Sequence, residues 1–240
     1  MRVLPCAVAL GLLAWSAGAT AQDPLEGVLL ERYAVRPDAG GGPELVTYRL
    51  YIDLPEGHRL NMVYGDEQNE LLIRTSTHFV NSPNSVKYGD RMHHRDIREG
   101  EDGYDSWLSI GAASDRHWGV PRDLDTTDGT ADGLVAMDSV PQVVNMYMEP
   151  GYLGSAPGCC IHTMNGAWAV LGGTAGLAGS GLVLIGQFTT QGQLTYALNA
   201  QVQRPDGSLV RCVSTVADEP DELLFPLLKG SAGQASSGRK

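Results

Sequence analysis

Beyond residue 26 the chain alternates apolar and polar residues with a period of two, in short runs cut by Gly, Pro, Asn and Asp. That period belongs to an extended chain with one buried face; a helix would space its apolar residues three and four apart. Helical bundles and α/β layouts are therefore excluded, and architectures built from many short strands remain. Ten runs qualify: residues 27–35, 44–54, 59–65, 70–79, 105–111, 142–148, 167–172, 182–190, 193–204 and 208–213. The sequence predicts an all-β fold, an antiparallel β-sandwich of jelly-roll or Ig-like kind, with about ten strands and long loops.

The run 193–204 alternates most fully. Leu194, Tyr196, Leu198, Ala200 and Val202 fall on one face, and Thr195, Asn199, Gln201 and Gln203 on the other. Phase then sets the register, because a slip of one residue turns every side chain to the wrong face. Thr190-Gln191-Gly192 reads as a hairpin loop with Gly192 in the left-handed region. It is expected to set Thr189 opposite Gln193, Phe188 opposite Leu194 and Leu184 opposite Leu198, with Gly186 making room for the Tyr196 ring. Pro205-Asp206-Gly207 reads as a second turn that faces Val202 to Val210 and Ala200 to Cys212, placing Cys212 on the core side. Residues 182–213 are thus expected to form a three-stranded meander. Nearer the start, Val46, Tyr48, Leu50 and Ile52 share one face, and Thr47, Arg49, Tyr51 and Asp53 the other.

Residues 1–21 have a different character. Met1-Arg2 is a short positive start, an apolar run follows from Val3 to Trp15, and Ala19-Thr20-Ala21 forms an A-x-A cleavage site before Gln22. This is the pattern of a secretory signal. The apolar run falls short of the roughly 20 residues that a bilayer requires, and no later stretch reads as a membrane span. The expected organisation is a signal peptide at 1–21, a single β-sandwich domain at 22–217, and an acidic and apolar segment with a disordered tail at 218–240. The product is expected to be secreted, either extracellular or periplasmic. Its formal net charge is −11 with the leader attached, and one unit more negative once Arg2 is removed. Such a surface repels phosphate backbones and argues against nucleic acid as a partner.

Cys6 leaves with the leader, while Cys159, Cys160 and Cys212 stay. Thiols in an oxidising compartment pair where geometry allows. The reading is one bridge from Cys212 to Cys159 or Cys160, with an odd thiol that is buried or links two chains into a covalent dimer.

Chemistry-bearing residues concentrate between Asp90 and Gly133. The run D-L-D-T-T-D-G-T-A-D-G places Asp123, Asp125, Asp128 and Asp132 within ten residues, among glycines that permit sharp turns. Oxygen ligands are what calcium requires. The spacing is not that of an EF-hand, since the third acid comes one residue late and Leu134 stands where the closing Glu belongs. The plainer reading is a solvated acidic loop; the alternative is a loop calcium site of another kind. Asp115, His117 and Trp118 form a second candidate set, an aromatic ring beside polar groups suited to binding a ligand. Trp107 lies in an alternating run and is expected to face the core. His93 and His94 are adjacent and would point apart on an extended chain, with Arg91, Arg95 and Arg98 opposing a cation. No G-x-S-x-G motif and no cysteine in a recognisable nucleophile context occur.

The segments Y-D-S-W-L-S-I-G-A-A-S-D-R-H-W-G-V from Tyr104, W-A-V-L-G-G from Trp168 and V-L-I-G-Q-F-T-T-Q-G-Q-L-T-Y-A-L-N-A-Q-V from Val183 follow T-Y-R-L-Y-I-D-L and M-V-Y-G in order. As a set, spread over residues 25–202, they resemble an uncharacterised family of secreted, mostly bacterial β-rich proteins, some of which carry surface-sorting tails. The resemblance implies a secreted β-rich domain and brings no catalytic residues; residues 218–240 do not look like a sorting tail.

Together these observations predict a non-enzymatic secreted β-sandwich that binds an extracellular glycan or protein through its loops. A calcium-stabilised structural or adhesive module is the alternative, and a secreted hydrolase with a carboxylate pair ranks last. If Asp123, Asp125, Asp128 and Asp132 hold calcium, millimolar calcium is expected to raise the melting temperature by several degrees, and chelator to reverse it. A midpoint indifferent to both would remove calcium from the account.

Overall fold

The period-two alternation becomes strands throughout the computed structural model, which describes residues 23–38, 40–81, 104–111, 158–176 and 180–232. The strands are β1 (Gly27–Arg36), β2 (Leu45–Asp53), β3 (Arg59–Gly65), β4 (Leu71–Thr75), β5 (Trp107–Gly111), β6 (Cys160–Thr163), β7 (Gly166–Thr174), β8 (Leu182–Thr190), β9 (Leu194–Ala197), β10 (Asn199–Gln203), β11 (Leu209–Val213), β12 (Glu222–Leu224) and β13 (Lys229–Ser231). They form three open sheets, in the orders β1-β2-β8-β5, β12-β11-β10-β3-β7 and β13-β9-β4-β6. Every pairing is antiparallel except β11 with β12. The fold is an all-β sandwich, and no helix among the described residues is long and apolar enough to cross a membrane.

All three sheets turn one face into a single apolar cluster. Leu50, Ile52, Val183, Ile185 and Phe188 come from the first sheet, Leu60, Val63, Trp168 and Val202 from the second, and Leu71, Ile73, Ile161 and Leu194 from the third. Trp168 is fully buried, and its indole N–H donates to the Ser109 carbonyl at 3.0 Å, which spares the ring a desolvated donor.

The run 193–204 has the phase its alternation predicts: Leu194, Tyr196, Leu198, Ala200 and Val202 are all buried. It is nevertheless two strands. At Leu198, whose N–H bonds to the Leu228 carbonyl at 2.9 Å, the chain leaves the third sheet as β9 and enters the second as β10. Asn199, on the polar side of the alternation, is fully buried. Its amide donates to the carbonyls of Tyr64 at 3.1 Å and Asn69 at 2.7 Å, and its oxygen accepts from the Ser214 N–H at 3.2 Å. Asn69, also fully buried, accepts from the Val216 N–H at 3.0 Å. Two asparagines thus satisfy backbone groups of the β3–β4 turn and of the chain leaving β11.

The hairpin after β10 has the expected register, with Val202 opposite Val210 and Ala200 opposite Cys212. Gly207 sits at φ 85°, where a side chain would be strained. The hairpin expected before β9 does not exist. β8 pairs with β2 and β5, and β9 pairs with β4 and β13, so residues 191–193 carry the chain between sheets. Gly192 is not in the left-handed region; a Cβ there would meet the Thr75 and Ser76 hydroxyls at 2.6 and 2.7 Å. Gly186 accommodates the Phe188 ring rather than that of Tyr196, and the close neighbour of Tyr196 is Gly230.

Three strands escape the sequence reading: β6, β12 and β13. Leu228 is buried in the core, and Gly230 and Ser231 pair with Tyr196 and Thr195, although the small residues from Gly230 onward read as a disordered tail. The expected strand at 142–148 lies outside the described residues.

Asn199→Ala is expected to cost about 3 kcal/mol in urea unfolding, roughly one per lost hydrogen bond plus unpaired carbonyls. Gln201→Ala, on the same face of β10 and only half-buried, is expected to cost under about 0.5 kcal/mol.

Candidate functional site

The face of the first sheet that turns away from the core buries several polar groups side by side. Register places Glu31, Arg49, Gln187 and Trp107 side by side, one from each strand of that sheet. Thr47, Arg49, Gln187, Thr189, Trp107 and Leu184 on this face are all buried. The alternation in β2 separates Thr47, Arg49 and Tyr51 from Val46, Leu50 and Ile52, and the structure buries both sets.

Burial requires each polar group to be engaged. The Arg49 side chain is 6% exposed, and its Nε donates to Gln187 Oε1 at 3.1 Å. Gln187 Nε2 donates in turn to the Asp105 carbonyl at 2.9 Å. The guanidinium carbon of Arg49 lies 3.5 Å from the centre of the Tyr33 ring, a stacked cation–π pair. Tyr51 donates its hydroxyl to Glu31 Oε2 at 2.7 Å. Thr47 and Thr189, opposite each other across β2 and β8, share a hydroxyl bond of 2.8 Å. At the margin a second cation–π pair sets Arg36 3.8 Å over the Tyr104 ring. Tyr33 is 41% exposed, so the rim of this face meets solvent through β1.

The electrostatics follow from burial. Desolvation holds the Tyr51 hydroxyl well above its ordinary value of 10.0, the bond to Glu31 and that carboxylate's charge add to the rise, and Arg49 opposes it. The result is a neutral phenol clamped to an acid, beside a cation braced by an amide and an aromatic ring. Such an arrangement can hold planar and hydroxyl-bearing groups by stacking and hydrogen bonding. It offers no nucleophile with an adjacent base.

Trp107 is buried as expected, but it packs with Tyr51 and Leu184 on this outer face, while its neighbours Leu108 and Ile110 point into the core. Sequence reading missed Arg49 and Gln187. The available signal was a lone Arg and a lone Gln inside runs of otherwise apolar and β-branched residues.

Asp115, His117 and Trp118, and the acidic set Asp123, Asp125, Asp128 and Asp132, lie outside the described residues. Among the described residues no three His, Cys, Asp or Glu side chains converge on a metal position. Cys159, Cys160 and Cys212 are present as thiols, and the bridge from Cys212 to Cys159 or Cys160 is not formed. Strand phase supplies the reason. Cys212 points into the core cluster from the second sheet, whereas Cys160 stands opposite Arg74 in the third, on the face away from Ile73 and Ile161. No protein-family model matches the chain, and no curated protein or solved structure is detectably similar to it.

Buried protonated groups make the fold sensitive to alkali. Burial raises Tyr51, Tyr64 and Tyr196 above 10.0 and pushes the Cys212 thiol up to about 12 from 9.0. A raised folded-state value contributes stability that is complete below the unfolded value and is lost as pH rises toward the folded one. Unfolding free energy is therefore expected to hold steady up to about pH 9 and to fall progressively above it. Tyr51→Phe is expected to be less stable at neutral pH and to show a shallower decline; a decline identical to wild type would remove Tyr51 as a contributor.

Proposed function

We propose that the protein is a secreted, non-enzymatic β-sandwich that binds an extracellular glycan. The observation that carries this reading is the half-exposed Tyr33 ring, backed by the buried Arg49 and Gln187 pair at the rim of the first sheet. Sugar rings are held by stacking their C–H faces on aromatic rings while side-chain amides and charged groups bond the hydroxyls. A ring fixed from behind loses little rotational freedom on binding, which reduces the entropic cost of association. The export signal and the resemblance to a secreted β-rich family support an extracellular setting.

The loop candidates belong to the same reading. Tyr104 stacks under Arg36 at the margin of this face, and Trp107, the first residue of β5, stands opposite Gln187 at the end of the row. Asp115, His117 and Trp118 follow directly in sequence. The sandwich serves as the rigid support, with the ligand taken by its rim and loops.

A glycan array followed by titration calorimetry tests the proposal. Tyr33→Ala and Trp118→Ala are each expected to weaken binding at least about tenfold, or 1.4 kcal/mol, with melting temperatures within a few degrees of wild type. Retention of no glycan, or equal retention by wild type and both variants, would reject it.

A further inference from the structure

Residues 215–224 leave the sandwich and return to it beside the point of departure. Ser214, just before them, is buried, and its N–H is held by Asn199. Phe225, just after them, donates its N–H to the Val213 carbonyl at 2.7 Å. A surface loop whose two ends meet can lift without displacing either end. Between these anchors every residue except Glu222 is exposed, Val216, Leu223 and Leu224 included. Apolar burial therefore does little to hold the loop down, and polar contacts decide whether it stays.

Those contacts converge on one arginine. Register sets Arg211 of β11 between Gln201 of β10 and Glu222 of β12, on the outer face of the second sheet. Its Nε and Nη2 donate to the two Asp221 oxygens at 2.9 and 2.8 Å, and its Nη1 lies 3.1 Å from Glu222 Oε1. A planar fork of this kind grips a carboxylate in one geometry, which an ammonium cannot do. Glu222 Oε2 turns back to accept the N–H groups of Asp218 and Glu219 at 3.1 and 3.2 Å, so the same acid folds the loop and fastens it. The Glu222 side chain is 2% exposed, and a carboxylate so buried depends on its partners. Two groups beside the loop favour its lifting. Tyr64 Oη and Asn69 Nδ2 are buried and find no hydrogen-bond partner among the described residues. Asn69 Oδ1 takes the Val216 N–H at 3.0 Å, and the charges of Arg211 and Glu222 act on the Tyr64 hydroxyl. Access to water would satisfy both groups and offset part of the cost of opening.

We propose that residues 215–224 are a hinged strap, latched to β11 by the Arg211 fork, that lifts from the outer face of the second sheet while the sandwich stays folded. Ser214 and Phe225 are the fixed ends. Asp221 and Glu222 are neighbours on the strap, so Arg211 releases both in one movement. Lifting unpairs β12, leaves β11 as the edge of the second sheet, and opens Tyr64 and Asn69 to solvent. The strap lies on a different sheet from the Tyr33 rim, and its opening does not depend on the glycan reading.

Native-state amide hydrogen exchange at residue resolution tests the proposal. The N–H groups of Val216, Asp218, Glu219 and Glu222 are expected to share one opening constant, at least about tenfold larger than that of Ser214 and of the β10–β11 ladder. Arg211→Ala is expected to raise that shared constant at least about tenfold further and to leave the amides of β2 and β8 unchanged. Arg211→Lys is expected to fall between the two, because it keeps the charge and loses the fork. Asp221→Asn, at an exposed side chain, is a second probe that leaves the fold intact and is expected to raise the constant several-fold. Strap amides protected as strongly as Ser214, or unmoved by both Arg211→Ala and Asp221→Asn, would overturn the proposal. So would an Arg211→Ala protein whose exchange rises equally in every strand, since Arg211 would then support the whole fold and not a latch.

Discussion

The fold depends on one buried amide. Asn199 sits where a continuous extended run passes from the third sheet to the second, and its three hydrogen bonds reach the end of β3, the β3–β4 turn and the chain leaving β11. A corner between sheets leaves backbone groups without ladder partners, and burying them bare costs free energy that packing would have to offset. Asn199 and Asn69 answer this locally, because an amide side chain offers both donors and an acceptor in the geometry of a missing peptide group. An apolar residue at position 199 would keep the volume and lose the corner.

The first sheet meets a related constraint differently. Its outer face is buried and mixed: Tyr51 with Glu31, Arg49 with Gln187 and Thr47 with Thr189 bond across strands, beside the apolar packing of Tyr51, Trp107 and Leu184. Arg49 is the clearest case: it is braced by an amide on one side and an aromatic ring on the other. A buried network of this kind adds little net stability but punishes any other register, since a slip of one residue would leave a cation unsatisfied. The polar row thereby helps specify the sheet, and it holds Tyr33 stiffly at the rim.

Alternation made the faces of the strands legible, and it left their partners obscure. Leu194 to Val202 has the right phase, and the turn at Pro205-Asp206-Gly207 has the right register, because a local turn with a left-handed glycine dictates its own pairing. The turn at 190–193 carries similar local signals but lies between sheets. What decides there is long-range: Thr190 bonds the Thr75 hydroxyl at 2.6 Å, and the Val80 N–H bonds the Thr189 carbonyl at 2.8 Å. The Cys212 thiol was placed correctly on the core face, but its expected partners were not, since phase in one sheet says nothing about which face a strand of another presents. Arg49 and Gln187 gave only a weak sign, because a lone polar residue in an apolar run does not by itself distinguish a solvated position from a braced one.

The pairing of β13 with β9 bears on the order in which this molecule can assemble. The third sheet takes β4 from residues 71–75, β6 from 160–163, β9 from 194–197 and β13 from 229–231, so it is stitched from segments far apart along the chain. Loop-closure entropy must be met before such contacts repay it, and topologies of this kind fold slowly. Until residues 228–231 arrive, the Leu198 amide and the open edge of β9 have no partner, and the corner at Asn199 stands half built. A chain emerging from its amino end would therefore hold this sheet open until residues 228–231 were delivered to close the edge of β9.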